Sequence, residues 1–210
     1  MTIQWSLFVP SVLLLLVPAD RLFSPQVELR SFDCFRRPGS SEAHRPWWWV
    51  PALWLDPWRA FFGASLLRRG LALQSNHWDL VPKSAYVVFL AVVGVAIVAQ
   101  TFSRRADHGV LMAPIGFVSG ITAALAPWPV AVIGVITAFL GLFAFRQFHA
   151  YFGFGLVAIG VLGFILEASM TWIGPAVGAF ALPLVAGLVT NCTLEFPVRN
   201  ASGRPKRPMA

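Results

Sequence analysis

The distribution of apolar residues divides the chain near residue 83. Before that point charges and prolines interrupt short apolar runs, whereas residues 84–190 are apolar with few interruptions. A spanning helix needs about 20 apolar residues, within a range of about 17–25. The interruptions therefore predict five transmembrane helices, at residues 84–102, 109–126, 128–145, 151–168 and 172–190.

Two further hydrophobic regions precede this bundle. Residues 2–18 form an apolar run with no basic residues before it and no clear small-residue cleavage site, so we expect it to remain attached rather than to be removed as a signal peptide. Residues 46–70 form a tryptophan-rich region, since the stretch from Arg45 to Gly70 holds five of the nine tryptophans of the chain.

Helix signals inside the tryptophan-rich region predict a short amphipathic helix. Asp56 is a favoured N-cap residue, Pro57 a favoured first helical residue and Gly70 a favoured C-terminal residue. A helix between them has about 13 residues, too few to span a bilayer. One face of it carries Trp58, Phe61, Phe62, Ser65 and Leu66, as interfacial helices do.

The alternative is a membrane crossing at residues 47–67, together with one at residues 2–18. That arrangement places 12 of the 16 basic residues on one side of the membrane and three on the other, with Arg59 inside the span. Asp56 and Arg59 would each burden the crossing by about 2.5 kcal/mol or more. We therefore favour an interfacial or re-entrant helix.

Composition supports a membrane protein. With 57% hydrophobic and 12% charged residues, the chain holds more apolar surface than a soluble domain of this size buries. The net charge of +7 does not indicate nucleic acid, because the basic residues lie between apolar runs, where anionic headgroups attract them. Cys34 and Cys192 have no paired spacing, and we expect no disulfide, metal or cofactor.

Basic residues predict the orientation, because short loops rich in arginine and lysine stay in the cytoplasm. Lys83 alone marks one side of the five-helix region, so the other side and the C-terminus should be cytoplasmic in a multi-pass protein of the cell membrane. Residues 191–210 are rich in proline and charge, and we expect a disordered basic tail. The residues on the cytoplasmic side are Arg104, Arg105, Arg146, Arg199, Arg204, Lys206 and Arg207.

Two hairpins of the bundle resemble each other. "ALAPWPVAVIG" and "ASMTWIGPAVG" each place a tryptophan and a proline at a turn, and Trp128 and Trp172 are 44 residues apart. Two parallel hairpin repeats would explain this. The alternative is that tryptophan favours the headgroup level and proline favours helix starts.

Small residues predict the helix-packing faces. The hydrophobic effect does not drive helices together in lipid. Close approach of the backbones at small residues must therefore supply the dispersion contacts that stabilise helix packing. A face for self-association or for a partner subunit is the alternative. The small residues spaced four apart are Gly116, Gly120 and Ala124, then Gly134 and Ala138, and finally Gly174 and Gly178.

Polar groups within the bundle are the candidates for chemistry. Glu167 ends the fourth predicted helix and Gln100 lies in the first. A transport site would need Glu167 to converge with several of Gln100, Thr122 and Thr137. An anion or headgroup site could instead form from the loop residues of the basic side, although ordinary helix-end anchoring explains them more simply. These loop residues are Arg104, Arg105, His108, Arg146 and His149.

The sequence thus predicts an all-α integral membrane protein whose five-helix bundle follows a hydrophobic segment and an amphipathic region. We expect a non-catalytic subunit or scaffold of a membrane complex, in contact with anionic lipid and either other subunits or copies of itself. A small transporter using Glu167 is the first alternative. An enzyme acting on a lipid-linked phosphate is the second, although we do not expect catalysis.

Overall fold

A computed structural model describes residues 3–17, 27–30, 51–73, 81–103, 110–166 and 168–199. These residues form seven helices and three short strands. Four helices are long and apolar enough to cross a membrane, namely Lys83–Thr101, Trp128–Phe145, Phe148–Ile165 and Met170–Thr190. The elements are α1 (Trp5–Leu16), β1 (Val27–Arg30), α2 (Pro51–Gly70), α3 (Lys83–Thr101), β2 (Val110–Met112), α4 (Ile115–Leu125), α5 (Trp128–Phe145), α6 (Phe148–Ile165), α7 (Met170–Thr190) and β3 (Thr193–Arg199).

The four long helices lie where four of the five predicted spans lie. The bounds of α5 agree with the prediction, while α6 begins three residues earlier than residue 151. The cause is the tight turn before it. Arg146 adopts a left-handed conformation (φ 57°) that ends α5, and Gln147 is extended, so α6 starts at once with Phe148.

The predicted span at residues 109–126 is not one helix. Its first part is β2, and only the 11 residues of α4 are helical. Pro114 separates the two, because proline lacks an amide hydrogen and disfavours helical geometry in the residue before it, Ala113. A helix of 11 residues is about 16 Å long, roughly half the hydrocarbon thickness of a bilayer.

A small sheet modifies the all-α prediction. β3 is its central strand, antiparallel to β1 and parallel to β2. In β3, Leu194 and Phe196 are buried and alternate with more exposed residues, which is the period of a strand. Burial also raises the pKa of the Glu195 carboxyl above its ordinary value. The tail that we expected to be disordered from residue 191 therefore begins as a strand, and residues 200–210 lie outside the described residues.

One end of the bundle, which we call the tryptophan end, collects the first residues of α1, α3, α5 and α7 and the last residues of α2, α4 and α6. The Gln4 amide donates to the Gly70 carbonyl oxygen (2.9 Å), which joins the start of α1 to the end of α2. The Tyr86 hydroxyl donates to the Thr171 carbonyl oxygen (2.7 Å), which joins the starts of α3 and α7.

The opposite end, which we call the sheet end, carries the three strands. The Ser103 hydroxyl, just after α3, lies 3.4 Å from the Met112 sulfur in β2. The rings of Phe148, at the start of α6, and Phe196, in β3, stack with centroids 6.1 Å apart. The sheet thus ties the segments before α2, before α4 and after α7 to one end of the bundle.

Helix α2 differs from its prediction in length and in placement. It has 20 residues and starts at Pro51, with Pro57 inside it, because the Asp56 side chain pairs with Arg59 instead of capping a helix start. Its inner face, which includes the fully buried Ala60 and Ala64, packs against α1 and α4. The helix therefore contacts the bundle along this inner face.

The aromatic residues of α2 face outward. Trp54, Trp58 and Phe62 recur at every fourth position and are 59%, 60% and 50% exposed. Small residues face the neighbouring helices instead. This inside-out pattern is typical of helices surrounded by lipid, in which bulky apolar side chains point outward and small ones allow close packing.

Two of the small residues singled out in the sequence lie at close helix contacts. A Cβ atom on Gly120 would overlap the backbone oxygen of Pro57 in α2, and one on Gly134 would lie 2.5 Å from Ile159 Cγ1 in α6. Ala138 is fully buried, while Gly116 and Ala124 are half-buried.

Gly174 and Gly178 occupy a different environment from the one that their spacing suggested. A Cβ atom on either would meet no atom within 4 Å. The buried face of α7 carries Trp172, Ala176 and Phe180, and residues two positions away from these lie on the opposite side of a helix. The close contacts of α7 instead use glycines of α6, where Phe180 packs against Gly155 and Ile173 against Gly163.

Candidate functional site

A polar cluster surrounds the end of α1. This helix has only 12 residues and stops at Leu16, so its last carbonyl groups have no partner within the helix. Arg59 of α2 supplies one: its Nη1 donates to the Leu14 oxygen at 2.9 Å and to the Val17 oxygen. A cation at this position also interacts favourably with the helix dipole.

The Arg59 guanidinium has two further neighbours. Its Nη2 donates to Asp56 Oδ1 at 2.9 Å, and its carbon lies 5.0 Å from the centre of the Phe117 ring in α4. The arginine is only 8% exposed, and its Nε is buried with no partner among the described residues. Arg59 thus joins α1, α2 and α4 at one point.

Gln100, the transport candidate of α3, belongs to the same cluster. Its side chain is fully buried, and Nε2 donates to the Leu15 oxygen at 3.4 Å. Its Oε1 has no partner among the described residues. Gln100 and Arg59 therefore both bind the carbonyl end of α1, and each retains one unpaired polar atom.

Buried hydroxyl groups elsewhere in the bundle are used locally. The Ser11, Thr101 and Thr122 hydroxyls donate to carbonyl oxygens three or four residues earlier in their own helices, at 2.6–2.9 Å. The Ser119 and Tyr151 hydroxyls are 2.5 Å apart and bridge α4 to α6. Such bonds satisfy polar groups in place and leave few donors for a solute.

Two of the candidates at the basic loops, Arg146 and His149, lie at the sheet end. Arg146 is exposed, and His149 is half-buried in the first turn of α6, facing Gly187 near the end of α7. Their predicted companions, Arg104, Arg105 and His108, lie outside the described residues, as does Glu167. The convergence that either a loop anion site or a Glu167 transport site requires therefore stays a prediction.

A second basic site lies at the tryptophan end. Arg68, in the last turn of α2, donates from Nη1 to the Ala124 oxygen at 3.0 Å, and its guanidinium carbon lies 3.8 Å from the centre of the Trp172 ring. Beside it opens a cavity of about 390 Å³. The described residues that line this cavity are Ser65, Arg68, Arg69 and Leu73.

The structure gives these arginines contacts that were not predicted from the sequence. In the sequence, Arg59 argues against a membrane crossing, because burying a charge in lipid costs free energy. An ionisable residue in an apolar run is nevertheless also a signal of a specific partner. Arg68 and Arg69 lie in the last turn of the helix, just before the predicted C-terminal Gly70, and no site was predicted at them from the sequence. Their spacing from Ser65, i+3 for Arg68 and i+4 for Arg69, is the signal in the sequence, because it places all three side chains on one helical face.

Comparisons with known proteins add no assignment. No protein-family model matches the chain, and neither the curated proteins nor the solved structures include a match. Within the described part of the chain, no three His, Cys, Asp or Glu side chains gather in a group that could hold a metal ion. The function must therefore be inferred from the arrangement of the described residues.

Proposed function

We propose that this protein is a non-catalytic subunit or scaffold of a membrane complex. The supporting observation is how the buried polar side chains are used. Arg59 and Gln100 bind the end of α1, and the hydroxyls of Ser11, Thr101 and Thr122 bond within their own helices. Arg59 and Gln100 thus join helices and the three hydroxyls are satisfied locally, whereas a transport or catalytic site needs polar groups that converge on a ligand.

We further propose that the chain passes between the two ends of the bundle seven times, with the sheet end in the cytoplasm. The four long helices and α2 make five of these passes, and α1 and the β2–α4 segment, whose helices are shorter than a spanning helix, make the other two. Helices α1 and α2 run in opposite directions between the two ends, and β2 with α4 returns the chain from the sheet end to the tryptophan end. Arg59 then lies inside a span but faces protein, where intramembrane charges are tolerated. In this threading 12 of the 16 basic residues fall on the cytoplasmic side, as the positive-inside rule requires.

Reporter fusions test this threading. A reporter that is active only in the cytoplasm should be active when fused after Ala210 and inactive when fused after Leu73, because α2 separates the two ends. A periplasmic or luminal reporter should give the reverse pattern. Equal cytoplasmic activity at both positions would mean that α2 does not cross, and activity of the Ala210 fusion outside the cytoplasm would reverse the whole orientation.

The outward aromatic face of α2 is the surface that we expect a partner helix to contact. Tryptophan residues are over-represented among the side chains that dominate binding energy. A full-length tagged chain, extracted in mild detergent at its natural abundance, should co-purify with other membrane polypeptides. Replacing Trp54, Trp58 and Phe62 together by leucine should lower their recovery about tenfold or more, because each residue contributes of order 1 kcal/mol.

The matched control replaces Phe145 and Phe164, also exposed aromatics, by leucine and should leave recovery unchanged. Isolation of the chain alone as a monodisperse species would contradict the scaffold. The transporter alternative has one observation in its favour, the unpaired Oε1 of buried Gln100. Solute flux through liposomes containing only this chain, abolished by Gln100→Leu, would support that alternative instead.

A further inference from the structure

The cavity at the tryptophan end has the chemistry of an anion site. Ser65, Arg68 and Arg69 lie at i, i+3 and i+4 on α2, so their side chains project from one face toward the same cavity. Neither arginine has a carboxylate partner among the described residues. The Ser65 hydroxyl likewise makes no hydrogen bond to the residues that the structure describes.

The orientation of Arg68 is fixed before any ligand arrives. One Nη1 hydrogen bond to Ala124 and the face of Trp172 hold the guanidinium plane on two sides. A guanidinium has five N–H donors, so most remain for a ligand, and their planar fork matches two oxygens of a phosphate. Because the side chain is already ordered, binding costs little additional conformational entropy.

Capping of helix ends explains only part of this arrangement. Arginine in the last turn of a helix is favoured by the dipole, and Arg68 also caps α4. Arg69 is exposed, contacts no carbonyl group among the described residues, and still lines the cavity beside Ser65. A ligand oxygen is the partner that would use the hydroxyl and both guanidinium groups together.

We propose that this cavity binds a phosphate group, either the headgroup phosphate of a lipid in the adjoining leaflet or a free phosphate. Trp172 against Arg68 suits the headgroup level, where tryptophan is enriched. The proposed threading supports the phosphate site with a second argument. The first argument, from Trp172, does not depend on the threading. Arg68, Arg69 and Lys83 are then the three basic residues outside the cytoplasm, where positive charge is disfavoured without a specific role.

Calorimetric titration of the purified full-length chain in a phosphate-free maltoside tests the proposal. The probes are dihexanoyl phosphatidylglycerol, dihexanoylglycerol, which lacks the phosphate, and sodium phosphate at constant ionic strength. We expect saturable binding of phosphatidylglycerol and none of dihexanoylglycerol. Arg69→Gln should weaken binding about tenfold or more, because it removes the charged hydrogen bonds from the guanidinium to the phosphate. The fold should not change, because the Arg69 side chain makes no contact among the described residues that holds helices together.

Lys83→Gln is the matched control. It removes one positive charge from the same end of the bundle but from outside the cavity lining, so it should change the affinity by less than about twofold. Binding of sodium phosphate with the same Arg69 dependence identifies a free phosphate ligand, and binding of phosphatidylglycerol alone identifies a lipid. No saturable binding of either, or equal losses in the two variants, would overturn the proposal. The titration uses the isolated chain, so its outcome is independent of whether partner subunits co-purify.

Discussion

Replacing Arg59 by methionine should lower the stability of the bundle more than any other single polar substitution among the described residues. The variant removes the Arg59 guanidinium from its ion pair with the Asp56 carboxylate, which is 14% exposed, and removes the donor that the Leu14 and Val17 carbonyl oxygens share. Breaking a buried pair on one side costs about 3–5 kcal/mol. The measurement is the unfolding midpoint in mild detergent, followed by near-ultraviolet circular dichroism of the tryptophans.

A double-mutant cycle separates the two roles of Arg59. Asp56→Asn combined with Arg59→Met removes both charges of the pair, so part of the loss should be recovered, and the remainder reports the uncapped end of α1. Arg69→Met is the matched control, because it removes an exposed arginine ten residues later in the same helix and should shift stability by no more than about 0.5 kcal/mol. Equal midpoints for Arg59→Met and Arg69→Met would show that Arg59 does not hold α1 in the bundle.

The role of Arg59 shows where sequence reasoning reached its limit. Hydropathy alone located α3, α5, α6 and α7, because a long apolar run bounded by charges or prolines has few stable structures in lipid other than a spanning helix. The partners of Arg59 are carbonyl oxygens more than 40 residues away along the chain. Only tertiary structure brings Arg59 and these oxygens together. The sequence therefore indicates the free-energy cost of burying the Arg59 charge but not the carbonyl oxygens that offset it.

The region around Pro114 shows a second limit. A short apolar run has no periodicity that distinguishes a strand from half a helix, and the strand at Val110–Met112 exists because β3 lies beside it. Spacing likewise identified Gly120, Gly174 and Gly178 as members of helical faces. It did not indicate which face is buried, and that depends on the neighbouring helices.

Substitution of Gly120 by alanine should produce the second largest effect. Its Cβ would overlap the Pro57 backbone oxygen and lie 2.9 Å from Ala60 Cβ, both in α2. Backbone cannot rotate away as a long side chain can, so α2 and α4 must separate. Overpacking of this kind costs about 1–3 kcal/mol, and the shift also displaces Arg59 from Phe117. We expect a lower unfolding midpoint and faster proteolysis at the α2 segment.

Gly178→Ala is the control that isolates packing from helix propensity. Both glycines lie inside helices, and alanine favours a helix over glycine by about 0.5–1 kcal/mol. At Gly178, where a Cβ meets open space, only this gain remains, so the midpoint should stay unchanged or rise. If the unfolding midpoint falls for Gly120→Ala and rises for Gly178→Ala, α4 is held by direct backbone contact with α2. If Gly120→Ala were also neutral or stabilising, α2 could not lie against α4, and the seven-pass threading would lose the helix on which it depends.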